Sequence, residues 1–271
     1  MTKMGTQARA YFAVVSVVGI GLLAGFASQS TAIEIPGPYA NAYVYGNVRP
    51  RVLPRNEPAP VGLTVHGYIS TVDGRQPPAI REVKARFDRN GAINAKGLPT
   101  CTFYRLKGHS PRSVRRNCGQ AIVGMGAAQI EVSPGTRLPA TLTVFNGGVT
   151  RDGTTTVFIY SALESGVAMP SPVIVVVKVK AIHDGRFGLG SVWKIPPILQ
   201  GSASVIDFSL HIKRLFDYNG KRQSYLTARC QGGLLFAQSV VAFRDDAHSG
   251  TGEEPSYAKE ARVCTRQSSP H

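Results

Sequence analysis

Residues 81–88, Arg-Glu-Val-Lys-Ala-Arg-Phe-Asp, alternate apolar and charged side chains along the chain. An extended strand points successive side chains to opposite faces. Val83, Ala85 and Phe87 therefore share one face, and Glu82, Lys84, Arg86 and Asp88 the other. The same alternation sets Leu63, Val65 and Gly67 against Thr64, His66 and Tyr68, and Phe208, Leu210 and Ile212 against Asp207, Ser209 and His211. Similar segments recur to the C-terminus, punctuated by glycine and proline, and a helical period is confined to one short stretch. This pattern predicts an all-β fold, an antiparallel β-sandwich or distorted barrel with one short helical turn. The run Ile174–Val177 is apolar on both faces and predicts a central strand covered on both sides.

Turn chemistry refines the outline. Asn90-Gly91 predicts a hairpin turn, as does Pro134-Gly135. A longer hairpin is expected between the Phe208–Ile212 arm and Leu226, Ala228 and Cys230. A three-residue bulged loop, Tyr218-Asn219-Gly220, would bring Ile212 opposite Leu226. Prolines at 50, 54, 58 and 60 make residues 33–61 a proline-rich extended segment, either an edge strand or a surface strap. Residues 62–148 form a first β half and 149–267 a second, or one continuous domain with the first. The weakest boundary lies near Asn146-Gly147-Gly148.

The N-terminus points to export. Lys3 and Arg9 precede an uncharged run from Ala10 to Ile33, apolar from Tyr11 to Phe26 and ending in small residues. Residues 1–32 thus have the layout of a secretory signal peptide, cleaved after Ala27 or after Ala32. An uncleaved membrane anchor is the alternative, although the apolar core falls short of the ~20 residues that a spanning helix requires. The expected location is secreted or cell surface.

Export bears directly on the four cysteines, Cys101, Cys118, Cys230 and Cys264. An even number in an oxidising compartment reads as disulfides. Zinc would need closely paired ligands, which these spacings lack, and His109 has no partner one helical turn away. In residues 109–119, Ser110 can cap a short helix, Pro111 fits its first turn and Gly119 its exit. Such a turn folds the chain back and predicts Cys101–Cys118, a loop closure worth roughly 3 kcal/mol. Strand adjacency at the end of the sheet predicts Cys230–Cys264. Arg112, Arg115 and Arg116 then lie on the solvent side of the turn.

Other constellations of reactive residue types are weaker. Asp207, Ser209 and His211 supply the side chains of a hydrolytic triad, but alternate strand residues stand about 7 Å apart, beyond hydrogen-bond reach. Asp245, Asp246, Glu253 and Glu254 could converge on calcium, although their spacing departs from the EF-hand pattern. Glu82, Asp88, Glu131 and Glu164 are available as a carboxylate pair for glycoside hydrolysis. No cofactor or metal is expected.

The segments 98–101 (Leu-Pro-Thr-Cys), 118–126 (Cys-Gly-Gln-Ala-Ile-Val-Gly-Met-Gly) and 224–230 (Ser-Tyr-Leu-Thr-Ala-Arg-Cys) resemble, in this order, motifs of a group of secreted actinobacterial proteins. The resemblance spans roughly residues 44–265. It implies export and paired cysteines, and brings no activity, ligand or catalytic residue.

The chain carries a formal charge of +15, from which loss of the leader would remove only Lys3 and Arg9. A basic exported protein is drawn to anionic polymers. The leading expectation is a surface or matrix protein that adheres to anionic cell-envelope polymers or to other surface proteins, without specific nucleic-acid recognition. Membrane contact is expected only if the leader is uncleaved. Arg112, Arg115, Arg116, Lys221 and Arg222 are the candidate contacts. The alternative is a secreted carbohydrate-active hydrolase using an acidic pair; on balance the reading leans away from an enzyme.

Overall fold

The computed structural model describes residues 33–35, 40–71, 74–164, 172–244 and 256–266. The leader and the acidic stretch from Asp245 to Glu254 lie outside the described residues.

The chain begins with β1 (Ile33–Ile35), β2 (Ala40–Arg49), β3 (Val52–Leu53), β4 (Ala59–Pro60), β5 (Gly62–Thr71), β6 (Ile80–Asp88) and β7 (Gly91–Ile93). Two short helices follow, α1 (Phe103–Leu106) and α2 (Pro111–Cys118). Then come β8 (Ile122–Ser133), β9 (Thr136–Val149), β10 (Thr155–Leu163), β11 (Val173–Asp184), β12 (Phe187–Lys194) and β13 (Ser204–Ile212). The last elements are β14 (Leu215–Tyr218), β15 (Lys221–Ser224), β16 (Leu226–Ala228), β17 (Leu234–Phe243), β18 (Ser256–Val263) and β19 (Thr265–Arg266).

One 12-stranded sheet, in the order β1-β18-β17-β6-β12-β11-β10-β9-β8-β13-β5-β2, dominates the molecule. It curls until its ends nearly meet. Gly46 on β2 donates its amide to Glu260 Oε2 on β18 at 2.7 Å, and Arg262 donates back to the Gly46 carbonyl. The fold is therefore all-β, an antiparallel and nearly closed barrel. Asn146-Gly147-Gly148 lies inside β9, and strands from both sides of it share the sheet.

Strand alternation divides inside from outside as the sequence predicts. Val83, Ala85 and Phe87 line the lumen, whereas Lys84 and Arg86 are exposed. Lys178 and Lys180 on β11 also face out. The charged wall and apolar lumen invert the plan of a membrane barrel, whose apolar band faces lipid. No helix among the described residues is long and apolar enough to cross a membrane. Asp88 departs from its expected polar face: it is buried, and its carboxylate accepts from the amides of Asn90 at 2.9 Å and Phe236 at 3.2 Å. The cause is a register break at the strand end, where Phe187 pairs with Asp88 but Leu189 with Phe87.

The stapled loop covers one wall from outside. Cys101 and Cys118 are bonded, Ser110 Oγ accepts from the Ser113 amide at 3.4 Å, and Pro111 occupies the first turn of α2. Gly119 stays right-handed because the chain continues into a 3-10 turn over Gly119–Ala121. Leu106 and Val114 press on Phe158, Tyr160 and Ile174, and the Tyr160 hydroxyl donates to the His109 carbonyl at 2.8 Å. Cover on both sides therefore centres on β10, buried throughout Thr155–Tyr160, and reaches β11 at Ile174.

Two turns differ from expectation. The Asn90-Gly91 turn directs the chain away from β6, and β7 pairs with β16, Leu226 opposite Ile93. The expected long hairpin is absent: β13 lies between β5 and β8, with Ile212 opposite Leu63 and Gly124. The hairpin is confined to β14 and β15 and closes through two residues, Tyr218 opposite Lys221. Asn219 and Gly220 have φ of 51° and 69°, the paired left-handed conformation whose twist matches a hairpin. The chain leaves the barrel at Lys213 and Arg214, so side-chain period along β13 could not carry its register across the turn. The Pro134-Gly135 turn does join β8 to β9, with Gly135 at φ 76°.

The short strands β4, β16 and β7 form a small sheet, and β19 pairs in parallel with β3. The Cys230–Cys264 disulfide ties this region to the end of β18, with Leu53, Val61 and Ala228 buried around it.

Candidate functional site

The strand residues considered for hydrolysis do not assemble. Asp207, Ser209 and His211 stand in sequence on the outer face of β13, opposite Tyr68, His66 and Thr64 of β5. His211 Nδ1 is 3.1 Å from Thr64 Oγ1 rather than near Ser209. The four candidate carboxylates are engaged separately. Glu82 binds Lys194 and Lys84 on the outer wall, and the Lys194 hydrogen bond leads in holding its pKa below the ordinary value. Asp88 caps backbone amides as described. Glu131 accepts from the Gly135 amide at 3.3 Å and pairs with Arg137, while Glu164 accepts from the Thr141 hydroxyl. No hydrogen bond or ion pair links any two of these four among the described residues.

The basic candidates occupy two places. Arg112, Arg115 and Arg116 are exposed on α2, whose buried side chains are Val114 and Cys118. Lys221 and Arg222 are exposed at the β14–β15 tip, where Arg222 is paired with Asp217 at 2.9 Å.

The feature that stands out is the lumen itself. It holds a partly open cavity of about 310 Å³ lined by side chains of most strands in the barrel, within the range typical of small-molecule sites. Its walls are apolar: Val65, Val144, Val157, Ile159, Val177 and Leu210 are among the lining residues. Small side chains line up across one wall. Ala85 on β6 lies opposite Ser191 of β12 on one side and Ser239 of β17 on the other. All three line the cavity, and both serines are buried. On the far wall Phe208 lies over Gly67, where a Cβ would come within 2.2 Å of the ring.

Few polar groups reach this space, and most are already satisfied. The only tryptophan of the chain, Trp193, lines the cavity and donates its indole N–H to Ser191 Oγ at 2.9 Å. Glu260 and Arg262 line it at the β2–β18 closure. Burial raises the Glu260 pKa, against the opposing pull of the Gly46 amide and Arg262. Its Oε1 is in ion-pair contact with Arg262 but out of hydrogen-bonding alignment. Tyr225 is also among the lining residues, but its hydroxyl is closed off from the space and is unpartnered among the described residues. Burial pushes its pKa well above the ordinary phenol value.

Sequence reasoning missed this cavity. The inward faces of β6 and β13 were readable, but the row of three small residues in the lining is assembled from strands far apart in the chain. The available signal was a small residue at the centre of an inward row, Ala85 between Val83 and Phe87. Among the described residues, no group of three or more His, Cys, Asp or Glu side chains is placed to hold a metal. No protein-family model, curated protein or solved structure matches the chain.

Proposed function

We propose that this is an exported protein that binds an apolar small molecule inside its barrel, as a carrier or a sequestering protein. The observation that carries the reading is the apolar lumen of about 310 Å³ within a wall that is charged outside. Ordinary cores fill such space, because unfilled volume forfeits dispersion contacts on every lining atom. Here the lining includes a row of three small residues, Ala85, Ser191 and Ser239, which fill less of the space than larger side chains would. The two disulfides suit an oxidising compartment, which supports export together with the leader-like N-terminus.

The test is uptake of N-phenyl-1-naphthylamine, a dye that fluoresces in apolar surroundings. Saturable uptake with a Kd on the order of 1 μM is expected from burial of its rings, less the cost of immobilisation. Ala85→Phe, which fills the gap between Ser191 and Ser239, should abolish uptake while the protein stays folded. Uptake unaffected by Ala85→Phe would count against the lumen as the site.

A second reading, adhesion to anionic polymers, is favoured by one observation. Arg112, Arg115 and Arg116 are exposed together on α2, and none is in an ion pair among the described residues. A disulfide-anchored helix holds them as a fixed basic surface. This function is compatible with the first, since α2 lies outside the barrel wall.

A further inference from the structure

We propose that the outer face of β5, β13 and β8 binds neutral glycans, chains of uncharged hexose rings. The face lies outside the wall, and the proposal does not depend on what the lumen holds.

Strand pairing brings the side chains together. Tyr68, Asp207 and Gln129 form one outward row across β5, β13 and β8, and His66, Ser209 and Ala127 form the next. β2 adds Tyr43 opposite Tyr68 and Tyr45 opposite His66. Residues 42–46 of β2 all border the lumen at the barrel seam, and alternation turns Tyr43 and Tyr45 away from the side of the buried Ala42. The Tyr43 and Tyr68 rings stack at 4.2 Å, 10° from parallel, and those of Tyr45 and His66 at 5.0 Å, 15° from parallel. These separations match the ~4.8 Å between paired strands, so the stacking axis crosses the strands. Each β5 ring therefore turns its second face toward β13, and Tyr68 keeps 41% of its surface exposed. Next to His66 the surface drops to Ser209 and Ala127, whose side chains are too short to cover a ring. The result is a shallow trough with ring faces for a wall and small residues for a floor.

Cross-strand aromatic pairs also stabilise sheets, and the charge pattern is what distinguishes this face. Elsewhere the outer wall is basic, with Lys84, Arg86, Lys178, Lys180 and Lys194 exposed. None of the outward residues within Thr64–Tyr68, Asp207–His211 and Met125–Gln129 is lysine or arginine, in a chain of formal charge +15. An anionic polymer finds no cation here to pair with. The face offers hydrogen-bonding groups instead. Asp207 is exposed and in no ion pair among the described residues, and its carboxylate can accept from two hydroxyls at once. The exposed Gln129 beside it both donates and accepts. A hexose ring complements both features: its C–H face packs on an aromatic ring, and its hydroxyls reach Asp207 and Gln129. A purely apolar partner would desolvate the Asp207 carboxylate without pairing it.

The test presents the whole protein with neutral hexasaccharides of glucose, mannose and galactose, and with a heparin hexasaccharide. At least one neutral member should bind, with an affinity that holds between about 0.15 and about 1 M sodium chloride, because no charge is neutralised. Saturation-transfer NMR with the aromatic protons irradiated should mark the C–H protons on one face of a bound sugar ring. Tyr68→Ala should weaken binding about tenfold, the worth of one aromatic contact. Ala127→Arg adds its bulk at an exposed position, so it should leave folding and dye uptake by the lumen intact while weakening glycan binding at least as much. Binding to none of the neutral members would overturn the proposal, as would binding untouched by both variants. Binding of the heparin fragment alone, removed by salt, would also overturn it and assign adhesion to the α2 arginines.

Discussion

The Gly46 amide meets Glu260 Oε2 at 2.7 Å across the place where β2 and β18 close the barrel. No backbone ladder joins these two strands. Their link is made by side chains, Glu260 to the Gly46 amide and Arg262 to the Gly46 carbonyl. β1 occupies another part of the free edge of β18, with Ile33 opposite Lys259. A closure of this kind depends on the protonation of one carboxyl.

Burial holds the Glu260 pKa above its ordinary value of 4.5. Between that value and the raised one, the folded protein retains a proton that the unfolded chain has released. This group's contribution to stability therefore declines as pH rises through that window. Glu260→Gln keeps an acceptor for the Gly46 amide and removes the titration. In urea unfolding from about pH 4 to about pH 8, wild-type stability minus that of Glu260→Gln should fall with rising pH. A flat difference would show that Glu260 titrates normally.

The two disulfides should differ in what their loss does. Replacing Cys101 and Cys118 by serine should cost roughly 3 kcal/mol, and replacing Cys230 and Cys264 slightly more because the loop is longer. The first change frees the cover over Phe158 and Tyr160 on the outer wall, so it should spare dye uptake by the lumen. The second loosens the cluster around Leu53 and the end of β18, and should weaken uptake. Denaturation midpoints and dye titrations on the two double variants check both statements.

Tyr225→Phe should stabilise the ligand-free protein by about 1 kcal/mol, because it deletes a hydroxyl that is buried without a partner. Most truncations of a buried side chain do the opposite. A loss of stability in urea unfolding would mean that the hydroxyl has a partner in solution.

For the basic surface, reversing Arg112, Arg115 and Arg116 together should lower the salt needed to elute the protein from heparin, and more than reversing three scattered lysines would. Binding of this kind weakens steeply with salt, by about 0.9 in log–log slope per phosphate neutralised on duplex DNA. Reversing Lys221 and Arg222 should matter less, since Arg222 already pairs with Asp217. Equal effects from every set would mean that only net charge counts.

Local features were the most legible in the sequence. Ser110, Pro111 and the two flanking cysteines lie within one turn of chain, and they fold as their residue types dictate. Alternation along β6 and β13 likewise assigned Val83, Phe87, Phe208 and Leu210 to the interior. The reading broke down wherever a contact depends on register between distant strands. Asp88 turned inward at a bulge imposed by β12, and the expected pairing of Ile212 with Leu226 gave way to pairing with β5 and β8. The cavity was hidden for the same reason. Ala85, Ser191 and Ser239 become neighbours only when β12 and β17 both pair with β6, and nothing along any one strand announces that.

Trp193 makes the most direct measurement possible, because the chain has one tryptophan and it lines the lumen. Excited tryptophan passes energy to N-phenyl-1-naphthylamine only at close range. Titrating the dye while exciting Trp193 should quench its emission saturably, in parallel with the rise in dye fluorescence, and Ala85→Phe should remove both signals. Dye fluorescence that rises while Trp193 emission stays constant would place the apolar binding elsewhere and contradict the account.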